Sequence, residues 1–350
     1  MESDRIPLLL VHGAWLSARS WENYADYFGK RGFAVSAPEW PRKHGDVEEM
    51  RATADESAGL GVQEIVDHYE GLIRELDQPP VLIGHSYGGL FVELLLDRGL
   101  GRAGVAMSPA PPKGILALPL KTLKSGAPAL AHPSKWHGVV TLTLEEFTYS
   151  FVNTFSPEDA AAAYERYAVP ETGQIFYEAG LANFHLHPPT EVHFKSGERA
   201  PLLIVGADED QTVPASLAKA QYKKYEHSPA KTDYLEFEGR PHLHMVAPDW
   251  QEVAAAIDSW LDGVLDAPAV AGGARGELDG DGGPLRRPRQ PRRARGRARR
   301  RGGRRSDGLR ARRRLRLVRA VAARDGRARR DLAGGGAHPR QRRAVVARGA

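Results

Sequence analysis

Three residue types that together can carry out nucleophilic acyl chemistry sit in loops at the ends of apolar runs. Ser86 lies in Gly84-His85-Ser86-Tyr87-Gly88, directly after the apolar residues 81–83 and before an amphipathic segment beginning near Leu90. A serine on so sharp a strand-to-helix turn is a nucleophile elbow. The turn strains the serine backbone and exposes its hydroxyl, and a β-carbon at Gly84 or Gly88 would collide with the neighbouring strand or helix. Further along, the apolar residues 201–205 lead into an acid-rich loop whose Asp-x-x-Val-Pro ending selects Asp210 as the partner carboxylate, with Asp208 second. After the run 234–237 comes Glu-Gly-Arg-Pro-His-Leu-His, where His242 is the expected imidazole and His244 the reserve. The order serine, acid, histidine is informative, because unrelated serine enzymes arrange the same three residues in other orders. Upstream, His12-Gly13-Ala14-Trp15 closes the buried run 6–11 at an edge where strand N–H groups are left without partners. Two backbone donors for an oxyanion are expected there: the N–H of Ala14, and the N–H of Tyr87 just after the serine. His12 is expected to brace its loop.

These loops need strands and helices to hold them. Residues 20–31 carry Trp21, Tyr24 and Phe28 at spacings of three and four, which predicts a helix with a buried aromatic stripe, stopped by Gly32. Residues 33–37 read as a strand and 38–57 as a polar surface excursion. Over 61–76, Val62, Ile65, Val66, Tyr69, Leu72, Ile73 and Leu76 share one helical face, and Pro79-Pro80 separates that helix from the elbow strand. Alternating strands and helices predict a parallel sheet covered on both faces. The pattern resumes with a helix over 90–96 and a strand over 103–107, then lapses from 108 to 199. Pro-rich turns and helices around 144–155, 157–167 and 174–183 predict a cap over the strand ends. Its Leu116, Leu118, Phe147, Phe151, Phe155, Phe176 and Phe184 would line an apolar pocket or form the cap's own core. His185 and His187 stand two apart without an acidic cluster, so no metal is expected. Asp249-Trp250-Gln251-Glu252 predicts a capping box ahead of a closing helix that buries Val253, Ile257, Trp260 and Leu261.

Charge divides the chain. Residues 1–267 hold 22 Lys and Arg against 38 Asp and Glu, whereas residues 268–350 hold 27 Arg, no Lys and 6 acids. The net charge of +5 therefore describes neither part. The first part reads as an acidic body, the second as an Arg/Gly/Pro-rich disordered tail. The tail could bind phosphates, although it lacks aromatics for stacking on bases. Its lack of Lys, Ile, Phe, Tyr, Trp, Met, Asn and Thr also fits translation of a GC-rich region in an unselected frame, the favoured reading. With no cysteine, disulfides, zinc thiolates and a cysteine nucleophile are all excluded. No apolar run approaches membrane-spanning length and no secretory apolar region follows Met1, so a cytoplasmic protein without a membrane partner is expected.

Four ordered motifs carry a resemblance: Val-His-Gly-Ala-Trp at 11–15, Gly-His-Ser-Tyr-Gly-Gly at 84–89, Asp-Gln-Thr-Val-Pro at 210–214, and Gly-Arg-Pro-His at 239–242 before an Asp-Trp-Gln-Glu-Val-Ala helix. Over residues 6–265 the chain resembles the α/β-hydrolase superfamily. The resemblance implies an α/β fold with a doubly wound, mostly parallel eight-stranded sheet and an inserted helical cap, with Ser86, Asp210 and His242 at the triad positions. Four residues, 206–209, precede the acid where three are common. It further implies a serine hydrolase that cleaves a carboxylic ester or lactone of a small to medium, largely apolar substrate through an acyl-enzyme, with no cofactor. Serine instead of aspartate at 86 disfavours the alkyl-enzyme route. The superfamily also contains hydroxynitrile lyases, other non-hydrolytic enzymes and catalytically silent receptors, which stand as the alternatives.

Overall fold

The apolar runs become short strands separated by helices. In chain order, β1 (Pro7–Val11), α1 (Glu22–Lys30), β2 (Ala34–Ser36), α2 (Val47–Ala52), α3 (Val62–Arg74), β3 (Val81–His85), α4 (Tyr87–Asp97) and β4 (Ala103–Met107) form the first half of the body. The segment between β4 and β7, expected to act as a cap and given that label below, contributes α5 (Leu120–Leu130), β5 (Val139–Val140), α6 (Leu144–Phe151), α7 (Pro157–Tyr167), β6 (Glu171–Thr172) and α8 (Gln174–Gly180). The body resumes with β7 (Leu202–Ala207), α9 (Ala215–Lys224), β8 (Thr232–Phe237) and α10 (Trp250–Leu265), and β9 (Val345–Ala347) stands apart near the end. This is a computed structural model, and it describes residues 5–116, 119–266 and 345–347.

The main sheet runs β2-β1-β3-β4-β7-β8-β9. The first six strands pair in parallel, and β9 adds antiparallel to β8 through Tyr234 opposite Ala347. The mostly parallel, doubly wound sheet is as expected. Its count is seven strands among the described residues, where eight were expected. The remainder of the tail at 268–350, and the expectation of disorder or phosphate binding made for it, lies outside the described residues.

Strand order reverses between β1 and β3, and a parallel sheet opens a crevice at the carboxyl ends of its strands at such a switch. α4, which follows β3, is buried at every residue from Tyr87 to Leu96. A helix buried on every side is a core helix, so the turn leading into it has little freedom. α3 turns Val62, Ile65, Val66, Tyr69 and Ile73 inward, and α10 buries Val253, Ala254, Ile257 and Leu261.

Several local expectations change. Residues 38–57 are more than a surface excursion: they contain α2 and bury Trp40, Lys43, Val47 and Met50. No capping box forms at Asp249, whose side chain caps nothing; Asp249 and Glu252 both pair with the buried Arg240 guanidinium, at 3.4 and 2.6 Å. A capping box forms instead at Thr143 and Glu146, at the start of α6. α5 runs through Pro128 in a stretch that reads as turns. Of the proposed pocket side chains, Phe147, Phe151 and Phe176 are buried, but Leu116 and Phe184 are 79% and 84% exposed. Leu118 lies outside the described residues.

Candidate active site

Ser86 sits at φ 56° and ψ −119°, a backbone conformation sparsely populated by residues with a β-carbon. Sterics on both sides impose it. A β-carbon at Gly84 would lie 2.1 Å from the Gly88 carbonyl oxygen, and one at Gly88 would lie 2.1 Å from the Val11 carbonyl oxygen of β1. Both positions must therefore be glycine for the chain to turn from β3 into α4. The Ser86 N–H donates to the Met107 carbonyl at the end of β4, at 2.9 Å, and its own carbonyl accepts from Ala110 and Leu90. The residue is thus anchored to the sheet and to the first turn of the helix. Ser86 retains 5% exposure.

Asp210 and His242 meet. The His242 Nδ1 lies 2.6 Å from Asp210 Oδ2, and both residues are wholly buried. Asp210 Oδ1 accepts the N–H groups of Thr212 and Val213, each at 2.7 Å, so every oxygen of the carboxylate is occupied. Burial alone would raise the Asp210 pKa, but His242 and the Val213 N–H outweigh it and hold the carboxyl below its ordinary value. The other ring nitrogen, His242 Nε2, has no protein partner. Asp208 binds elsewhere. Its Oδ1 accepts the Gly239 N–H at 2.5 Å and the Arg240 N–H at 3.3 Å, tying the acid loop to the histidine loop. His244 does not reach the carboxylate. It is buried with neither ring nitrogen bonded, and that burial lowers its pKa to about 3, with Asp210 opposing the shift. His85, just before the serine, bonds the His242 carbonyl at 2.9 Å and places its ring 4.5 Å from the His242 ring. The serine and histidine loops therefore adjoin.

The loop at 12–15, expected to bear an oxyanion donor and called the oxyanion loop below, comes next to the elbow. A β-carbon on Gly13 would lie 2.9 Å from the Ser86 β-carbon, so only glycine permits this approach. Among the described residues, the N–H groups of Ala14 and Tyr87 donate to no acceptor. His12 braces the loop as expected, with Nδ1 2.9 Å from the Gly13 carbonyl oxygen and its ring stacked on Trp40.

Around these groups lies an aromatic wall that draws on body and cap. Trp15 stacks on Phe176 at 4.3 Å and meets Phe151 edge-on at 6.2 Å; Phe176 in turn packs against Tyr87, and Phe151 against His242. The cap also bonds the body loops directly. The Phe151 carbonyl accepts the Leu243 N–H at 2.9 Å, and the Ser150 carbonyl accepts the Thr212 hydroxyl at 2.7 Å. Two residues near the site have no signal in the sequence: Lys43 and Glu171, 128 positions apart, pair at 2.7 Å beneath the oxyanion loop. Nothing in their spacing joins them. His185 and His187, set aside as metal ligands, fall in an exposed stretch of the cap, and His187 lies 3.3 Å from Glu191.

Comparison with known proteins agrees with this architecture. Among solved structures, a monoacylglycerol lipase from Paleococcus ferrophilus aligns at 22% identity and a TM-score of 0.52, covering 74% of this chain and 94% of its own. Polyneuridine aldehyde esterase aligns at 18% identity and a TM-score of 0.54, covering 73% and 99%. An extracellular α/β-hydrolase from a Paenibacillus species aligns at 22% identity and a TM-score of 0.52, covering 73% and 98%. At such identities the likeness is one of fold. No curated protein sequence matches the chain. The alpha/beta hydrolase family model matches residues 8–256, which span the elbow, the acid loop, the histidine loop and the cap, and the chain belongs to that family.

Proposed function

We propose that the protein is a serine hydrolase that cleaves a carboxylic ester or lactone through an acyl-enzyme. The observation that carries this reading is the buried Asp210–His242 pair, with its outer imidazole nitrogen unbonded, on the loop adjoining the strained Ser86. With Asp210 on Nδ1, the proton of neutral His242 sits on that nitrogen, leaving Nε2 as the base. Nε2 takes the Ser86 proton as the hydroxyl oxygen attacks the acyl carbon. The Ala14 and Tyr87 N–H groups receive the developing oxyanion, and Asp210 stabilises the imidazolium. His242 then protonates the leaving alkoxide, and water, deprotonated by the same nitrogen, releases the acid.

The aromatic lining by Trp15, Phe151, Phe176 and Tyr87 favours a small to medium apolar substrate. The solved structures of a lipase and an esterase that share the fold are consistent with ester chemistry. Lys43 is the one buried lysine among the described residues, and its ammonium is held by Glu171 and the Leu16 carbonyl. A lyase reading accordingly gains no free cation from it. The test is turnover of p-nitrophenyl butyrate and labelling by a fluorophosphonate in the full chain. Ser86→Ala is expected to abolish labelling and lower kcat by about 10⁶-fold. Unchanged ester turnover in that variant would overturn the proposal, and cyanohydrin cleavage without esterase activity would replace it with the lyase.

A further inference from the structure

Trp15 follows the expected oxyanion donor Ala14 and has φ 60°, in the left-handed region that residues with a β-carbon rarely occupy. Something must hold it there, and the holding groups are nearly all in the cap. The Trp15 N–H donates to Glu171 Oε2 at 3.2 Å, the Trp15 carbonyl accepts the Val169 N–H at 3.0 Å, and the indole N–H donates to the Val140 carbonyl at 3.1 Å. Every polar group of this residue is thus bonded to the strands β5 and β6 or to the segment leading into β6.

Glu171 is the only side chain among those partners, and it is built in with care. It is fully buried, its Oε1 accepts the Thr172 N–H at 2.9 Å, and its Oε2 lies 2.7 Å from the Lys43 ammonium. Lys43 also donates to the Leu16 carbonyl at 3.1 Å and lies over the Trp40 ring. Trp40 in turn stacks on His12. His12 grips the Gly13 carbonyl, which shares a peptide plane with the Ala14 N–H, while Glu171 grips the Trp15 N–H, which belongs to the next plane. In a rigid trans peptide, fixing one end orients the other. Ala14 is therefore held between two clamped planes, one clamped from the body and one from the cap.

We propose that Glu171, with Lys43 as its counter-ion, is a positioning residue for the oxyanion hole, so that the cap helps to form the catalytic geometry as well as covering it. This rests on the reading of the Ala14 N–H as an oxyanion donor. A buried ion pair costs desolvation that an apolar pair of the same shape would avoid. A geometric role for the carboxylate oxygen gives that cost a purpose.

Two double variants of the full chain isolate the role. Lys43→Met/Glu171→Leu fills the space with apolar groups and removes the acceptor for the Trp15 N–H. Lys43→Met/Glu171→Gln removes the same charges but keeps a carbonyl oxygen there. With p-nitrophenyl butyrate, the Leu variant is expected to lose about 10²-fold in kcat, as for loss of an oxyanion donor, with KM changed by less than about twofold. A trifluoromethyl ketone, whose tetrahedral adduct places an oxyanion in the hole, should lose affinity by the same factor. The Gln variant should stay within about fivefold of the wild type on both measures. Hydrogen exchange of the peptide spanning residues 12–17 should quicken in the Leu variant and not in the Gln variant, whether or not any ester is turned over. Equal kcat and inhibitor affinity in the two variants, or a change in KM alone, would reduce the pair to a staple between cap and body and overturn the proposal. Equal exchange in the two would overturn it as well. A wild-type chain that hydrolyses no ester would sink the esterase reading, while the exchange measurement would still decide the loop's dependence on Glu171.

Discussion

The body and the cap hold the loops of the site by different means. At the elbow in the body the constraints are steric: Gly84 and Gly88 flank Ser86, and an added β-carbon meets main-chain oxygen at 2.1 Å, that of the nearby Gly88 for one and that of the distant Val11 for the other. In the cap they are polar and distant. Glu171 holds Trp15, Ser150 holds Thr212 and Phe151 holds Leu243, each across dozens of residues. Two buried glutamates, one in each region, differ in their partners. Glu93 in the body has one oxygen bonded to Tyr225 and the other unpartnered, and burial raises its pKa to about 7. Glu171 in the cap has donors on both oxygens. One charge is tolerated by the core and the other is used. The difference teaches that a framework can be fixed by shape alone, whereas a loop shared between two lobes needs directional bonds.

The largest effect that could break this comparison concerns the acids of the loop after β7. Asp210→Asn should lower kcat by about 10⁴-fold, because the amide favours the wrong His242 tautomer. Asp208→Asn should keep kcat within about threefold, since it touches only backbone N–H groups, and steady-state kinetics on the two variants checks the pair. A larger loss at Asp208 would mean that the acid has been misassigned.

Steric control in the body predicts that Gly88→Ala costs about 3 kcal/mol or more, because the clash is with the main chain of β1, which cannot rotate away. Urea unfolding of that variant would measure it, and a cost below about 1 kcal/mol would show that the elbow is more pliant than its geometry implies.

The carboxylate contrast gives a pH signature. The raised pKa of Glu93 means the fold prefers its neutral form. Its contribution to stability is fully present below the unfolded value of 4.5 and is lost as pH rises through about 7. Glu93→Gln should therefore gain on the order of 3 kcal/mol relative to the wild type between pH 5 and pH 8. Glu171→Gln should lose stability at both pH values, since it leaves the Lys43 cation buried without its partner. Denaturant midpoints at the two pH values test both. The smallest effect lies on the cap's outer face: Phe184→Ser, at a site 84% exposed, should change stability by less than about 0.5 kcal/mol and leave kcat unaltered.

The sequence by itself determined the framework of the site. Gly84, Ser86 and Gly88 lie at alternate positions of one turn, and the lack of room for a β-carbon at Gly84 is a local consequence of turning from a strand into a helix. The helices over Val62–Arg74 and Trp250–Leu265 were equally legible, because apolar periodicity records one buried face. Even so, the capping box expected at Asp249 gave way to ion pairs with Arg240, a residue earlier in the same loop between β8 and α10. The Asp-x-x-Val-Pro ending already selected Asp210 over Asp208, and the tertiary structure added what each carboxylate meets: His242 at Asp210, and backbone N–H groups at Asp208. Only the tertiary structure showed that Leu116 and Phe184 face outward while Phe151 packs on His242 and Phe176 on Tyr87, because the cap has no single period that separates its inner from its outer face. The pairing of Lys43 with Glu171 beneath the oxyanion loop belongs wholly to the fold: a bond across 128 residues leaves no trace in local spacing.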